Sequence, residues 1–279
     1  MGWRFLHTSL CGAIEWHTGS STSLTMLSHH ALTGCDLPDK TVCLTFDDGP
    51  GSPIEAGKGP RTLDIACYLA SRGIQSTFFL MGERISRTGV LTRRLGEMGH
   101  ALANHTWSHP SLVDCTPDIA IAEIQRTDDV LNGLPGFLRL LRPPFGDWTS
   151  ALADALNASP IHNYLGPVMW DIDGEDWRCW QNQDHPRTCA ERYIRLLSSR
   201  GRGILLLHDN AAEQELATHN RTFIVVQLLV SWLGANGFHI LPVSEIPQLR
   251  LALPLAQSFR AEHPTASCPA MRIAVPHSQ

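Results

Sequence analysis

The sequence lacks several features that mark common classes of protein. None of its eight cysteines belongs to a C-x-x-C pair, which excludes the usual cysteine-rich zinc sites and a thioredoxin-like motif. No apolar run is long enough to cross a bilayer, so we expect no membrane span. Internal repeats and low-complexity linkers are also absent, so we expect no separate binding module.

Positive charge is scarce too. The chain of 279 residues has 22 lysines and arginines against 27 aspartates and glutamates, a formal net charge of -5. A protein that binds nucleic acid through its phosphates normally needs a basic surface, so we expect no nucleic-acid partner and a neutral or weakly charged substrate. Hydrophobic residues make up 43% and charged residues 18%, a composition typical of a globular protein.

Signals of a cellular compartment are weak. The amino terminus is interrupted by His7, Glu15 and His17, whereas a secretory signal peptide needs an uninterrupted apolar core. We therefore expect a cytoplasmic protein by default, and an extracytoplasmic one stays open. Whether Cys179 and Cys189 form a disulfide depends on the compartment and stays open as well.

Short β-like runs alternate with amphipathic stretches along the chain. The pattern predicts strands at Thr41–Phe46, Gln75–Leu80, His100–Ala103, Leu138–Leu141, Val168–Ile172, Ile204–Leu207 and Phe238–Leu241. It predicts helices at Thr62–Arg72, Val90–Met98, Pro117–Leu131, Thr149–Leu156, Thr188–Ser199 and Asn220–Ala235. Alternation of this kind predicts an α/β fold with a parallel sheet.

Periodicity alone does not decide whether the predicted sheet is open or closed, but the position of the polar motifs favours a barrel. Polar motifs collect directly after several of the strands, which is where a (β/α) barrel keeps its active site. We therefore expect a distorted (β/α) barrel of about seven parallel strands. Residues 1–38 are expected to form an irregular lead-in, and residues 251–279, which contain four prolines, an extended tail.

Two adjacent carboxylates, Asp47 and Asp48, lie where the first predicted strand meets a Gly-Pro turn. A strand end holds its last side chains rigidly at a rim, so one carboxylate can bind a metal while its neighbour transfers protons. Two carboxylates this close repel each other unless a cation or a proton lies between them. The motif is a first indication of a metal-dependent hydrolase.

His105 and His109 follow the third predicted strand. Their spacing can bring both imidazoles to one face of a helical turn, as metal binding requires. The pair is weak by itself, because the chain has 14 histidines and two ordinary surface histidines are the alternative. Beside Asp48, however, the pair would complete a set of two histidines and one carboxylate that leaves positions for water and substrate.

Three further motifs follow later strands. Arg142 precedes two prolines that prevent regular continuation, and its guanidinium is suited to orienting a carboxylate; a solvated surface arginine is the alternative. Residues 170–177 contain four carboxylates and two indoles, which suits either an acidic turn or contact with a sugar ring. His208 follows an apolar run, where it is a candidate acid or base or else a histidine of the core.

Taken in order, these five motifs resemble those of the polysaccharide deacetylase family, the NodB homology domain of carbohydrate esterase family 4. They are Thr45–Pro50, His105–His109, Arg142–Gly146, Asp173–Trp177 and Leu206–Asp209. Each motif is weak or moderate alone, whereas five of them in order at strand ends make a strong signal. The resemblance implies a catalytic domain over residues 39–250.

The resemblance also implies the chemistry of the central residues. Asp47 would be the general base and His208 the general acid. Asp48, His105 and His109 would bind one divalent metal ion. Zinc is the usual ion of the family, and cobalt or another divalent ion stays open.

Further residues would support that centre. By the same resemblance, Arg142 would orient the base and Asp176 would tune the acid, with the neighbouring aspartates at 171 and 173 as alternatives. Trp177 and Leu206 would wall the pocket for the acetyl group, and the backbone N–H of Phe145 would help to hold the oxyanion. The family commonly has tyrosine where Phe145 stands, a change that spares a backbone donor.

The expected activity is removal of N-acetyl groups from an amino-sugar polymer or oligomer of chitin or peptidoglycan type, with release of acetate. We expect a monomer with a carbohydrate substrate. Two alternatives stay open: a related metal-dependent amidohydrolase that opens a cyclic ureide or imide, and a catalytically silent carbohydrate-binding protein. The intact Asp47 and His208 disfavour the silent alternative, and the tryptophans near Asp176 favour a sugar over a small ureide.

Overall fold

The computed structural model describes residues 27–54 and 59–262, with the backbone alone for residues 255–262. Its strands are β1 Leu27–Leu32, β2 Thr41–Gly49, β3 Thr77–Leu80, β4 Ala101–Asn104, β5 Phe137–Leu141, β6 Gly166–Val168, β7 Ile172–Asp173, β8 Gly203–His208 and β9 His239–Ile240. Its α-helices are α1 Thr62–Ala70, α2 Gly82–Arg87, α3 Gly89–Glu97, α4 Pro117–Leu131, α5 Ser150–Asn157, α6 Asp176–Gln181, α7 Pro186–Arg200, α8 Gln214–Thr218, α9 Thr222–Ala235 and α10 Pro247–Glu262.

The strands form a curved parallel sheet. Its main path has the order β5-β4-β3-β2-β8-β7, and β9 pairs with the beginning of β2. β1 and β6 form a second parallel pair, which a bridge between Leu140 and Leu165 connects to the free side of β5. Because every pairing is parallel, the carboxyl ends of the strands meet at one rim. This arrangement confirms the predicted α/β class and its distorted parallel barrel.

Strand β2 lies at the centre of the sheet, and all nine of its residues are buried. Side chains alternate along a strand, so Val42, Leu44 and Phe46 pack in the large core beneath the helices. Cys43 lies in the smaller core on the opposite side of the sheet. Asp47 lies four residues after Cys43 on β2, so its side chain faces the same side of the sheet. The strand therefore places the Asp47 carboxylate at the rim, on the side of the smaller core.

Several predicted segments have different boundaries or a different structure. The segment Val168–Ile172 was predicted as one strand, but it divides into the end of β6 and the start of β7. Asp171 lies between them, and its carboxylate accepts hydrogen bonds from the backbone N–H groups of Gly34 and Ile204. These bonds turn the chain away from regular strand pairing.

Both ends of the described chain correct the sequence prediction. Residues 27–32, expected to be irregular, form β1, because Leu27 and Leu32 are buried while the polar residues between them are not. The expected extended tail begins inside helix α10, which continues to Glu262 with Pro254 inside it. Residues 33–38 of the predicted lead-in are irregular, as expected, and residues 1–26 and 263–279 lie outside the described residues.

Candidate active site

Three potential metal ligands converge at the rim of the sheet. Asp48 lies near the end of β2, and His105 and His109 lie in the loop after β4. The Nε2 atoms of His105 and His109 are 3.4 and 3.2 Å from Oδ1 of Asp48. Potential ligand atoms of all three residues lie within 4.8 Å of one another. In the described part of the chain, no other group of this kind is found.

The hydrogen bonds around this cluster leave lone pairs at its centre. Nδ1 of His105 is 2.8 Å from the carbonyl oxygen of Arg142 and must carry its proton there, so the Nε2 lone pair faces Asp48. Oδ1 of Asp48 is buried and has no hydrogen-bond donor. Buried oxygen and nitrogen lone pairs that face one another repel unless a cation lies between them. The residues therefore fit a divalent cation.

The distances and the charges agree with that fit. Ligands of a tetrahedral ion with bonds of about 2.0–2.1 Å lie roughly 3.3 Å apart, close to the separations from Asp48 to the two histidines. Burial would raise the pKa of Asp48, but His109 and His105 beside it hold the pKa well below its usual range. Burial would lower the pKa of His105, but Asp47 and Asp48 raise it. Without an ion, a proton between the histidines and Asp48 thus supplies the positive charge that a bound cation would supply instead.

The loop that carries the two histidines is not the helical turn that their spacing predicted. Thr106 and His109 have φ values of 66° and 65°, which a right-handed helix excludes. The shape of the loop is fixed instead by contacts with another element. The carboxylate of Glu123 on α4 accepts hydrogen bonds from the backbone N–H groups of Trp107 and Ser108. External hydrogen bonds, rather than helical periodicity, bring the imidazoles together.

Asp47 is held by a buried arginine. Nη1 of Arg142 is 2.7 Å from Oδ1 of Asp47 and 2.8 Å from Oγ1 of Thr45. The guanidinium also donates to the carbonyl oxygens of Val168 and Met169. These contacts fix one oxygen of Asp47, and the other, Oδ2, lies 3.7 Å from Nε2 of His105 beside the cluster.

His208, at the end of β8, is paired with Asp176. Its Nδ1 is 2.7 Å from Oδ1 of Asp176, and its backbone N–H donates to Oδ2 at 2.8 Å. Thr222 donates to the same Oδ2. Burial would lower the pKa of His208, but the charge and hydrogen bond of Asp176 raise it to about 10. The imidazole is therefore protonated at neutral pH.

These groups line one cleft with a volume of about 500 Å³. The predicted residues along it are Asp47, Asp48, His105, His109, Phe145, Trp177, Leu206 and His208. Arg142 and Asp176 are fully buried behind the cleft. The structure therefore brings together all ten residues singled out in the sequence.

The described apolar wall is formed by side chains from the turn after β5, from α6 and from β8. Phe145 is about half exposed, and its ring packs edge-on against His109 at a centroid distance of 4.7 Å. Its φ of 61° places the backbone in the left-handed region. Leu206 is buried and Trp177 is partly buried. Such a wall suits a small apolar substituent such as a methyl group.

The sequence matches a known family. The profile of a family described as polysaccharide deacetylase matches residues 35–164. A chitooligosaccharide deacetylase of Sinorhizobium fredii is 33% identical over 208 residues, which are 72% of this chain and 88% of that protein. The chain belongs to the polysaccharide deacetylase family. A peptidoglycan-N-acetylglucosamine deacetylase of Bacillus cereus is 34% identical over 138 residues, but the match spans 49% of this chain and 46% of that relative.

Solved structures of polysaccharide deacetylases share the fold. A peptidoglycan N-acetylglucosamine deacetylase in complex with a benzamide has a TM-score of 0.64 at 24% identity, over 78% of this chain and 92% of that one. The chitin deacetylase of Colletotrichum lindemuthianum has a TM-score of 0.62 at 21% identity, over 75% and 88% of the two chains. At these identities the likeness concerns the barrel alone.

Within this family member, the geometry distinguishes the three aspartates that the sequence left as alternatives. Asp176 is the one that contacts His208. Asp173 accepts the backbone N–H of Glu175, and burial raises the pKa of Asp173. Asp171 holds backbone between strands. The three aspartates are close together in sequence, but their carboxylates contact three different parts of the structure.

Sequence reasoning missed several residues around the deacetylase cleft. Trp180 lines it and packs edge-on near His208 at a centroid distance of 6.2 Å. Asp209 is fully buried under the turn after β2, where Thr62 donates to it, and burial raises its pKa to about 7. Arg84 donates to the carbonyl oxygen of Asp48 at 2.8 Å. The adjacency of Asp209 to His208 was a usable signal; Arg84 and Trp180 offered none.

The structure also bears on two features of the wider chain, a cysteine pair and the lengths of the helices. Cys179 and Cys189 are both buried and lie in contact as free thiols. Within the described residues, no helix combines the length and apolar character needed to span a bilayer.

Proposed function

We propose that this protein is a metal-dependent hydrolase that removes N-acetyl groups from amino-sugar oligomers or polymers and releases acetate. The observation that carries the proposal is the convergence, in one cleft, of the Asp48, His105 and His109 cluster with Asp47 and His208. The names of several relatives, chitooligosaccharide and peptidoglycan deacetylases, point to the same reaction.

Asp48, His105 and His109 would hold the divalent ion, and zinc is the ion we propose. When bound, such an ion polarises a carbonyl group and lowers the pKa of water. The open positions of a set of two histidines and one carboxylate would face the cleft.

Asp47 would act as the general base. Arg142 fixes one of its carboxylate oxygens, which leaves the other, beside the histidine cluster, to accept the proton of the attacking water. The negative charge that develops on the carbonyl oxygen would be stabilised by the backbone N–H of Phe145. Trp177 and Leu206 would contact the methyl group of the acetamide.

His208 would act as the general acid. An amine leaves readily only after protonation, and Asp176 keeps the His208 imidazole protonated at neutral pH. Asp47 and His208 lie side by side on β2 and β8. Asp47 would therefore accept a proton from water, and His208 would donate a proton to the leaving amine.

We also propose that residues 39–250 form the catalytic unit and that it acts as a monomer. Every residue assigned a role above lies within this range. One chain supplies the described lining of the cleft.

A direct assay tests the proposed function. The protein is stripped with a chelator, reloaded with zinc, and incubated separately with N-acetylchitotetraose, peptidoglycan fragments and the cyclic ureide allantoin. We expect zinc-dependent acetate release from an amino-sugar substrate and no ring opening of allantoin. Ring opening without acetate would indicate the ureide hydrolase instead, and binding of saccharide without either product would indicate a silent carbohydrate-binding protein.

A further inference from the structure

The outer part of the cleft carries more negative than positive charge. Three carboxylates line it beyond the proposed metal and base residues: Asp173, Glu175 and Glu213. Among the described residues along the cleft, Arg178 is the one arginine or lysine, and its Nη1 is 2.9 Å from Oε2 of Glu175. Asp173 and Glu213 form no salt bridge within the described chain. These three carboxylates with Arg178 are called the acidic rim below.

The charges at the floor of the cleft are already matched, so they do not offset the rim. Arg142 neutralises Asp47, and His208 neutralises Asp176. Arg84, which donates to the backbone carbonyl oxygens of Asp48 and Ala211, lies near the buried carboxylate of Asp209. The proposed cation beside Asp48 would add further positive charge at the floor. A substrate that extends past the floor on either side therefore meets the field of the acidic rim.

A separate observation concerns polar contacts in the same cleft, where one buried indole donor lacks an acceptor. Trp180 lines the cleft and is only 2% exposed, yet its Nε1 has no hydrogen-bond partner. A buried indole N–H normally has an acceptor. Trp170 and Trp177 line the same cleft. Indole faces with an unpaired donor suit the flat faces and hydroxyl groups of pyranose rings.

Resting on the deacetylase activity proposed above, we infer that the acidic rim selects substrates by charge. Chains of N-acetylglucosamine alone are neutral, and each deacetylated unit becomes a cation. Muramic acid units, by contrast, carry a lactyl carboxylate, and they flank every N-acetylglucosamine of a peptidoglycan-type chain. The rim therefore favours chitin-type oligomers, neutral or partly deacetylated, over chains that contain muramic acid.

The expected effect is moderate. In water, one unmatched carboxylate at roughly 8 Å weakens the binding of an anion by about twofold to threefold. Two such groups, Asp173 and Glu213, together give about fivefold. Salt at about 0.5 M should remove most of this difference, because it shortens the screening length to a few ångströms.

The test compares substrates that differ in one charge. The alternating N-acetylglucosamine and N-acetylmuramic acid tetrasaccharide, without peptides, is used as the free acid and as its lactyl methyl ester, with N-acetylchitotetraose as reference. We measure kcat/KM for acetate release by the zinc-loaded protein. We also measure Kd for the zinc-loaded Asp47→Asn chain, which needs no turnover. We expect the ester to be favoured over the acid by about fivefold at low salt.

Variants locate the effect. In Glu213→Gln the preference for the ester should fall at least about twofold. In Glu215→Gln, which removes an exposed carboxylate of α8 outside the cleft, it should stay unchanged. Equal Kd values for acid and ester in the Asp47→Asn chain, or an equal effect of the two variants, would overturn the inference. Absence of acetate from all substrates, with the charge preference present in Kd, would contradict the proposed activity alone.

Discussion

At the scale of single residues, one hydrogen bond decides what the cluster can bind. His105 donates its Nδ1 proton to the carbonyl of Arg142, so its Nε2 lone pair faces the unpartnered oxygen of Asp48. Arg142 uses its side chain, in turn, to hold Asp47. The same arginine thus fixes a proposed metal ligand through its backbone and the proposed base through its guanidinium.

Replacing the proposed base should separate chemistry from metal binding. We expect Asp47→Asn to lower kcat by about 100-fold or more, because the amide cannot accept a proton while it keeps the contact with Arg142. Zinc affinity should change little, since Asp47 is not one of the three proposed ligands. Asp39→Asn, in the exposed turn that precedes the same strand, serves as the control. Loss of zinc in Asp47→Asn equal to the loss of activity would show that Asp47 is a ligand.

The pairing of His208 with Asp176 predicts a pH effect of known sign. Against the effect of burial, Asp176 and, to a smaller extent, Asp48 and Asp47 raise the pKa of His208 from 6.5 to about 10, so a general acid at this position stays active until the pH rises through that value. In Asp176→Asn the His208 pKa should fall, so the basic limb of the profile of kcat/KM against pH should move to lower pH. A profile like that of the exposed-site control, Asp129→Asn, would exclude His208 as the acid.

The raised pKa of His208 also contributes to the free energy of unfolding. A raised folded-state pKa means that the contribution is fully present below about pH 6.5 and is lost as the pH rises towards about 10. Chemical denaturation of the metal-free protein at pH 6 and pH 10 should therefore show a smaller pH dependence in Asp176→Asn than in the parent chain. An unchanged pH dependence would contradict a proton shared by this pair.

At the scale of secondary structure elements, the central strands were predictable, whereas β1, the break between β6 and β7, and the functional loops were not. The apolar runs of β2 and β8, each followed by polar residues, predicted both strands, because a buried parallel strand needs apolar residues on both faces. The prediction of a helical turn after β4 was wrong. The shape of this loop depends on hydrogen bonds to Glu123, which lies on α4, further along the chain. The short helices α2, α6 and α8 went unpredicted, because one or two turns carry too little periodicity.

The dependence of this loop on Glu123 can be measured. Glu123→Gln replaces a charged carboxylate, one oxygen of which accepts two backbone N–H groups and the other the hydroxyl of Ser108, with a neutral amide that has one oxygen acceptor. We expect zinc affinity to fall about 10- to 100-fold, as for other residues that orient metal ligands. Asp129→Asn, on the exposed face of the same helix, should bind zinc like the parent chain. Unchanged affinity in Glu123→Gln would mean that the loop holds its shape without this carboxylate.

At the scale of the whole molecule, closure of the sheet is what makes a site from residues distant in sequence. Parallel pairing puts Asp47 and His208 side by side, and curvature through β1 and β6 brings the loop of Arg142 behind them. Motif order alone anticipated this convergence, because parallel strands end at a common rim. Residues joined only by tertiary packing, such as Arg84 and Trp180, carry no local pattern and could not be anticipated.

The central claim is that Asp48, His105 and His109 hold one divalent ion at this rim. Elemental analysis of protein that has been stripped, reloaded with zinc and desalted tests it most directly, on the parent chain, His109→Ala, and a control at an exposed histidine, His162→Ala. The account predicts one zinc ion per chain in the parent and the control and a loss of that ion in His109→Ala. Full zinc occupancy in His109→Ala, or none in the parent chain, would contradict it.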